Sequence, residues 1–216
     1  PGLKAHGYQG AAAQAYFEDL RLRAAAMAGV RAASVAWLAP WGSRHAATGW
    51  AGRQFVTNHV DEKFLRTAGL RLLAGRGFLP GERDVAVVTE SAARLLWPDS
   101  EATGQRLPWG SSGPTVVGVV ADASTGSVGM ARPLEFYVPL STAETPESVL
   151  LLRVDGAPRD VVRTLQTAAR SIDPRLQPAV GTLSGDFDHE FDRMTRALAL
   201  LTLLGSIAVA LSAIGL

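Results

Sequence analysis

The end of the chain carries the feature that most limits what this sequence can fold into. Residues 197–216 read ALALLTLLGSIAVALSAIGL, a run without a charged side chain. As a helix rising about 1.5 Å per residue, the run is about 30 Å long, which matches the hydrocarbon core of a bilayer. A helix that is apolar on every face is otherwise stable only where neighbouring elements surround it. We therefore predict a transmembrane helix over about 197–216, with a fully buried core helix as the alternative.

A linking helix is predicted to run into this span without interruption. Ser184 or Asp186 can cap it, and the acidic residues of its first turns suit the positive end of the helix dipole. Residues 186–216 would then connect a folded domain rigidly to the membrane. Arg193 and Arg196 precede the span, and the positive-inside bias alone would place them in the cytoplasm. We give that signal little weight, since large translocated domains override the charge of a short segment.

The composition excludes several classes of site. The 216 residues contain 21 basic and 20 acidic side chains, so the net charge of +1 gives no electrostatic reason to expect a nucleic-acid partner. The chain has no cysteine, which excludes disulfides, thiolate metal ligands and a cysteine nucleophile. Because the chain starts at Pro1 and stops inside an apolar run, we expect a fragment of a longer protein, with sequence missing at both ends.

Hydrophobic periodicity predicts an alternation of short strands and helices. The first ten residues and the Gly- and Trp-rich residues 40–52 are predicted loops. Helices are predicted over about 12–29 with Gly29 as the C-terminal stop, over 61–68, from a Thr89 cap to Pro98, and from a first turn at or near Pro158 to a break at Pro174, with an apolar stripe from Val161 to Ile172. Strands are predicted over residues 30–38, 53–60, 70–74, 85–88, 115–120, 134–140, 149–154 and 177–183.

This order predicts an α+β fold, a split βαβ–βαβ sandwich with an inserted β-rich lobe, followed by the C-terminal transmembrane helix. Residues 1–40 and 149–185 would form one α/β lobe, and residues 41–148 the inserted lobe. The hypothesis requires residues 30–38 and 149–183 to lie in the same sheet.

Several segments resemble one family of membrane proteins. They are DVAVVTESAARLLWPDSEATGQRL (84–107), TVVGVVADAS (115–124), RPLEFYVPL (132–140), LRLLAGRGF (70–78) and IDPRLQPAVGTL (172–183). Together they resemble the extracytoplasmic core domain of MacB/FtsX-type ABC transporter permeases. The Ala/Leu-rich ending that closes on IGL, as residues 214–216 do here, is similar to the second membrane helix of that family.

The resemblance implies a function without chemistry. It implies a domain on the outer side of the bacterial inner membrane, with residues 1–190 periplasmic. It also implies a permease that is usually dimeric, an ABC ATPase as a separate or fused partner, and a periplasmic adaptor or substrate as further partners. ATP-driven movement would pass through the membrane helices to the outer domain, a role called mechanotransmission, for export or for activation of a partner.

Searches for catalytic and metal-binding patterns support this expectation. No P-loop occurs, and the GRG at 75–77 is better explained as a turn after a strand. The four histidines, His6, His45, His59 and His189, are scattered, and the acidic residues beside His189 are better explained as a solvated helix start. Ser91 lacks the flanking glycines of a nucleophile elbow, while Asp99 and Glu101 are expected to be exposed. We therefore predict no catalytic, cofactor-binding or metal site and no cofactor.

Two further hypotheses stay open at this point. The chain could be a membrane-anchored ligand-binding or sensor domain with a ligand between its lobes, or a membrane-tethered hydrolase. Trp41, Trp50 and Trp109 fall in predicted loops, where they would either fill the core or face a partner. The Gly/Ser-rich residues 122–131 would be a long turn or a partner contact.

Overall fold

A computed structural model gives the architecture of the chain. It describes residues 3–39, 47–50, 53–109, 113–122 and 134–183, with the backbone alone for 47–50 and 53–54. One compact unit ends at Val180; of the second, Gly181–Leu216, the structure describes only the first three residues. The predicted linking helix and the span at 197–216 therefore lie outside the described residues. Among the helices that the structure does describe, none is both long and apolar enough to cross a bilayer.

The described residues form four α-helices and eight strands, with short 3-10 helices at Leu3–His6 and Thr145–Glu147. The helices are α1 (Gly10–Ala25), α2 (Phe64–Ala68), α3 (Glu90–Leu96) and α4 (Pro158–Ile172). The strands are β1 (Val30–Ala36), β2 (Ala47–Trp50), β3 (Arg53–Val60), β4 (Leu72–Gly75), β5 (Val85–Thr89), β6 (Thr115–Val120), β7 (Glu135–Pro139) and β8 (Val149–Val154).

All eight strands belong to one mixed sheet in the order β4-β6-β5-β7-β3-β1-β8, and β2 pairs with β3 beside this path. Strands β5 and β6 run parallel, as do β3 and β7, whereas the other pairs are antiparallel. Strand β8 pairs along the length of β1, from Ala36 opposite Val149 to Val30 opposite Val154. Strands β1 and β8 thus share one sheet, which meets the requirement of the split α/β hypothesis for residues 149–154 but not for residues 177–183.

The two long helices cover the β1–β8 end of the sheet. The predicted apolar stripe of α4 is confirmed in its centre, where Val161, Leu165 and Ala169 are buried. Leu165 and Ala169 meet Phe17 and Leu20 of α1 in a core cluster that also contains Val35 of β1. Helix α2 contacts β1 and β8, although its residues fall within the segment predicted as the inserted lobe. The division into lobes therefore stays a prediction.

A second core cluster lies under α3. Phe55 of β3 stacks on Phe136 of β7 with ring centroids 4.7 Å apart, and Trp109 meets the Phe136 ring edge-on. Burial of Ala93 on α3 is confirmed, while Leu96 and Trp97 are half-buried and pack against the same cluster. Aromatic pairs of this kind add about 0.5–1.5 kcal/mol to the effect of burial alone.

Several predictions from periodicity were wrong. Residues 177–183 form no strand in the structure; Leu176 and Val180 instead contact the cluster around α1 and α4 without sheet pairing. Pro178 lies within this segment and has no N–H to donate to a ladder. The predicted loop at 40–52 contains strand β2, because Ala47–Trp50 finds a partner in β3.

The helix ends also differ from the prediction. Helix α1 has its C-cap at Ala26, and Gly29 (φ +81°) instead accepts a hydrogen bond from the N–H of Asp155 beside β8. Thr89 stands at the N-cap position of α3 but makes no capping hydrogen bond with its side chain. The Thr89 hydroxyl oxygen accepts from the N–H of Glu135 at 3.1 Å, so this side chain links β5 to β7.

Candidate functional site

The strands β1 and β3 join the two parts of the sheet through very little regular pairing. Their only ladder register pair is Ala36 opposite Val60. Around it, the N–H of Trp37 donates to the carbonyl of His59 at 2.8 Å, and the N–H of Asp61 donates to the carbonyl of Val35 at 3.0 Å. Beyond these bonds the strands separate, so side chains must satisfy the neighbouring buried backbone groups.

Two side chains complete this junction. The Asn58 amide accepts from the N–H of Leu38 at 3.0 Å and donates to the Leu38 carbonyl at 3.1 Å. The Asp61 carboxylate accepts from the N–H of Val35 at 2.7 Å and from the N–H of Lys63 at 3.0 Å. Asn58 and Leu38 are both buried. Asn58 and Asp61 therefore hold β1 against β3 where the backbone ladder does not.

An open cleft of about 830 Å³ lies beside the junction. It lies between α1 on one side and the connection from β4 to β5 on the other. Ends of β1, β3 and β7 also contribute to its walls. Its apolar lining includes Phe17, Val35, Phe78, Trp109 and Val138. A volume of this size lies within the usual range of small-molecule sites, about 300–1,000 Å³.

Asp61 is a partly buried carboxylate at the junction, and its pKa departs from the ordinary value. Burial is the largest influence and raises the pKa of Asp61 from 3.8 to about 6. The N–H of Val35 opposes that rise because it hydrogen-bonds to the charged form, and the N–H of Lys63 and the charge of Arg21 act in the same direction. The Asp61 carboxylate is thus mostly ionised at neutral pH and neutral in mild acid.

A buried guanidinium group stands on the α1 side of the cleft. Arg21 is 7% exposed, and its Nε donates to Glu18 Oε2 at 2.8 Å while its second nitrogen bonds the other oxygen of that carboxylate. Hydrogen bonding by Arg21 lowers the pKa of Glu18. The pair at i and i+3 keeps a charged group stable where apolar side chains surround it.

His59 lies at the edge of the same cleft. Its Nδ1 is 3.9 Å from Glu144 Oε2, and its ring meets Trp37 edge-on at 5.4 Å. Ser141 donates a hydrogen bond from its hydroxyl to Glu144. Partial burial favours a higher pKa for Glu144, but Ser141 and His59 outweigh it and lower that pKa overall. These contacts tie β3 to the connection between β7 and β8.

The other histidines are not brought to this cleft. His6 lies in the 3-10 helix at the start of the chain, while His45 and His189, with the acidic residues beside His189, fall outside the described residues. In the part of the chain that the structure describes, no three His, Asp or Glu side chains are grouped so that they could hold a metal ion.

The remaining chemical candidates occupy structural positions. The Ser91 hydroxyl donates to the carboxylate of Asp122, and the Ser91 N–H donates to the same carboxylate at 2.9 Å. Asp99 and Glu101 are exposed, as predicted. Gly75 ends β4, and the turn that follows the strand lies at Pro80 and Gly81, beyond the GRG sequence. Among the described residues, the hydrogen-bond partner of the Ser91 hydroxyl is therefore a carboxylate, whereas a hydrolase triad places a histidine there.

The tryptophans are divided between core and cleft. Trp109 packs against the core cluster around Phe136 and also lines the cleft. It therefore lies outside the strands, as predicted, and also helps to fill the core. Trp97 packs against the same cluster, and Trp37 is half-buried beside His59. Trp41 and the side chain of Trp50 lie outside the described residues, as do residues 123–131.

Periodicity did not single out Asn58, Asp61 or Arg21. Arg21 has the Glu18 partner three residues earlier, which is a helical spacing, but such pairs are mostly solvent-exposed. Asn58 sits in the middle of a strand, where asparagine is disfavoured. An asparagine in mid-strand was the one sequence signal for this junction. It indicates that a nearby buried backbone group, here that of Leu38, lacks a regular ladder partner.

Comparison with known proteins identifies the family. Residues 4–173 match the MacB-like periplasmic core domain. The chain belongs to this family. The match covers most of the chain, and it includes the strands on both sides of the β1–β3 junction. The recognition from sequence motifs is therefore confirmed for the periplasmic domain of MacB-type permeases.

Individual proteins that are similar to this chain also carry MacB in their names. The Chromobacterium violaceum macrolide export ATP-binding/permease protein MacB is 34% identical over 88 residues, which are 39% of this chain and 13% of that protein. The chain thus spans a small part of that relative's length. The crystal structure of the periplasmic region of MacB from Actinobacillus actinomycetemcomitans has a TM-score of 0.50 at 16% identity, over 73% of this chain and 74% of that one. It supports the fold.

A third similar protein comes from another group of bacteria. The extracellular domain of the noncanonic ABC-type transporter YknZ from Gram-positive bacteria is 14% identical, over 72% of this chain and 80% of that one, with a TM-score of 0.48.

Proposed function

We propose that this domain is the extracytoplasmic part of an ABC transporter permease and that it transmits conformational change without performing chemistry itself. The observation that carries the proposal is the family match over residues 4–173. Its partners would be the membrane through residues 197–216, a second permease copy, an ABC ATPase and a periplasmic adaptor or substrate. Residues 1–190 would lie on the periplasmic side of the inner membrane.

The sheet supplies a physical basis for this role. Because β8 pairs along the length of β1, a displacement applied after residue 180 reaches α1 and β1 through hydrogen bonds and packed side chains. The single register pair between β1 and β3 then makes that junction the place where the sheet yields most easily. The domain would move as two packed bodies about the contacts of Asn58 and Asp61.

Breaking the linking helix tests force transmission. In the predicted linking helix, proline at Thr195 would remove a backbone donor and clash with the preceding turn, at a cost of about 3 kcal/mol. Spin labels at the exposed Leu22 of α1 in two copies would report movement in the intact protein on ATP binding. We expect Thr195→Pro to abolish the ATP-driven distance change while hydrolysis persists, and Thr195→Ala to retain both. An unchanged distance response in Thr195→Pro would contradict the proposal.

The location of the domain can be tested separately. The chain has no cysteine, so a single Leu22→Cys variant gives one labelling site in this sequence. We expect a membrane-impermeant maleimide to label it in intact spheroplasts of the natural host. Labelling that requires disruption of the inner membrane would place residues 1–190 in the cytoplasm and defeat the assignment.

A second candidate function is a membrane-anchored domain that binds a ligand. The observation that favours it is the cleft of about 830 Å³ with an apolar lining and a partly buried carboxylate. The reading frame beyond Leu216 discriminates between the two. Further membrane spans favour the permease, and a cytoplasmic signalling domain favours a sensor.

A further inference from the structure

The cleft between α1 and the β4–β5 connection combines two features that suit one kind of ligand. Its apolar walls include Phe17 from α1, Phe78 from the β4–β5 connection, Trp109, and Val138 from β7. Such walls gain free energy by burying the apolar body of a ligand, at about 25 cal/mol for each Å² removed from water. The polar groups then determine which ligand charge is accepted.

The charges that line the cleft are mainly negative. Five carboxylates contribute to its surface, against the guanidinium groups of Arg21 and Arg83. Most of the carboxylates already have a cation: Glu18 pairs with Arg21, Glu82 with Arg76 at 2.7 Å, and Glu62 with Lys63 at 3.7 Å. An anionic ligand would therefore face more negative than positive charge in this lining, of which the exposed Arg83 is also a part.

Asp61 differs from these carboxylates. Its two oxygens accept one backbone N–H each, at 2.7 and 3.0 Å, and no Lys, Arg or His among the described residues forms an ion pair with it. Each carboxylate oxygen can accept more than one hydrogen bond, so both retain acceptor capacity. A partly buried carboxylate held by backbone groups alone offers a fixed negative charge to an incoming donor.

We propose that the cleft binds an organic cation, an amine with an apolar body, whose ammonium group donates hydrogen bonds to Asp61. A charge-assisted hydrogen bond is about twice as strong as a neutral one, and the ligand cation offsets the cost of keeping this carboxylate away from water. The inference extends the second candidate function and rests on it, but it does not depend on force transmission. Because Asp61 also bonds Val35, bound ligand would lie at the β1–β3 junction.

Three dansyl probes separate charge from apolar burial. Dansylcadaverine carries a primary ammonium, N-dansylhexylamine replaces it with a methyl group, and dansylaminohexanoate carries a carboxylate. With the intact protein in phosphatidylcholine nanodiscs, fluorescence titration against empty nanodiscs gives the specific affinity. We expect dansylcadaverine to bind about tenfold more tightly than the neutral probe, which corresponds to one charge-assisted hydrogen bond, and the anionic probe to bind most weakly.

Two variants locate the site. Asp61→Asn should reduce dansylcadaverine affinity to that of the neutral probe, whereas Asp99→Asn, the same change at an exposed position outside the cleft, should leave it unchanged. Ala15→Phe fills the cleft from α1 and takes no part in the Asp61 hydrogen bonds, so it should weaken all three probes.

Each outcome of this experiment is decisive. Equal affinities for the three probes overturn the choice of a cation, and full dansylcadaverine binding by Ala15→Phe overturns the choice of the cleft. If Asp61→Asn does not fold, as judged by circular dichroism, the probe series and Ala15→Phe still decide. A failure here leaves the Thr195→Pro experiment untouched, so the two proposals fail separately.

Discussion

The Oδ2 atom of Asp61 accepts a hydrogen bond from the backbone N–H of Val35 at 2.7 Å, across the junction of β3 and β1. The backbone returns the contact, because the N–H of Asp61 donates to the Val35 carbonyl at 3.0 Å. A side chain that titrates therefore takes part in a connection that strands normally make with main-chain groups alone. The pH response of the domain should depend on it.

The first prediction concerns Asp61 and pH. Its pKa is 3.8 when unfolded and about 6 when folded, so the folded state binds the proton more tightly. The stabilisation from this group is present below about pH 4 and is lost as the pH rises through about 6, by at most about 3 kcal/mol. Urea denaturation of a soluble fragment ending at Leu183 should show wild type losing stability relative to Asp61→Asn over this interval.

The control for this experiment is Asp99→Asn, which changes an exposed carboxyl. We expect its difference from wild type to stay nearly constant over the same interval. A constant difference between wild type and Asp61→Asn would show that burial does not raise the Asp61 pKa in solution.

Asn58 gives a second prediction. Its side chain satisfies both the N–H and the carbonyl of Leu38, and Asn58→Ala would leave those buried groups without partners. An unpaired buried polar group costs about 1–3 kcal/mol, so we expect a loss of about 2–4 kcal/mol in the free energy of unfolding. Gln14→Ala, at an exposed position on α1, should change it by less than about 0.5 kcal/mol. Similar midpoints for the two variants would refute the role of Asn58.

Two nearby glycines allow a matched steric test. A Cβ at Gly118 of β6 would lie 2.2 Å from the carbonyl oxygen of Arg76, whereas a Cβ at Gly77 would meet only Leu65 Cδ1 at 3.5 Å. Overpacking against backbone costs about 1–3 kcal/mol, and an ordinary contact costs almost nothing. Thermal denaturation should therefore show Gly118→Ala destabilised and Gly77→Ala close to wild type. Equal melting temperatures for the two variants would show that Gly118 does not lie as close to the Arg76 backbone as described.

A fourth prediction concerns the end of α4. Asp173 is buried, accepts from Arg175 Nε at 3.0 Å and from the Tyr8 hydroxyl at 3.0 Å, and hydrogen bonds from Arg175 hold the Asp173 pKa below its ordinary value. Stability from this depressed pKa is present above about pH 4 and is lost as the pH falls below it. We expect Arg175→Ala to lower the melting temperature at neutral pH and to have a smaller effect in acid. Arg159→Ala, at an exposed position, is the matched control, and equal effects of Arg175→Ala at both pH values would contradict the prediction.

Periodicity predicted the elements well where one face of a segment is buried. The strand at Val149–Val154 has the predicted limits. Helix α4 begins at Pro158, near which its first turn was predicted, and ends at Ile172, just before the predicted break at Pro174. The pairing could not be predicted, since β3 runs parallel to β7 through partners that lie far apart in the chain. Residues 177–183 show the reverse error, in which apolar residues pack into a core without forming a strand.

The cleft was beyond prediction for a similar reason. The cleft forms where α1, the β4–β5 connection and the end of β7 come together. These elements are far apart in the chain, so no local sequence pattern predicts their contact. Asp61 precedes a helix and so resembles an ordinary helix-start residue. Its carboxylate is partly buried because it bonds Val35 across the β1–β3 junction, and that junction is known only from the fold.

The pairing of β1 with β8 also bears on how the domain is made. Helix α1 and β1 are synthesised before the other described strands, but β8, the strand that completes β1, is the last of the strands that the structure describes. Until then, a nascent chain would present an unsatisfied edge of β1 and the uncovered apolar side chains of α1, both of which promote aggregation. Because this pairing joins residues far apart in the chain, we expect closure of the sheet by β8 to be a late and slow step of folding.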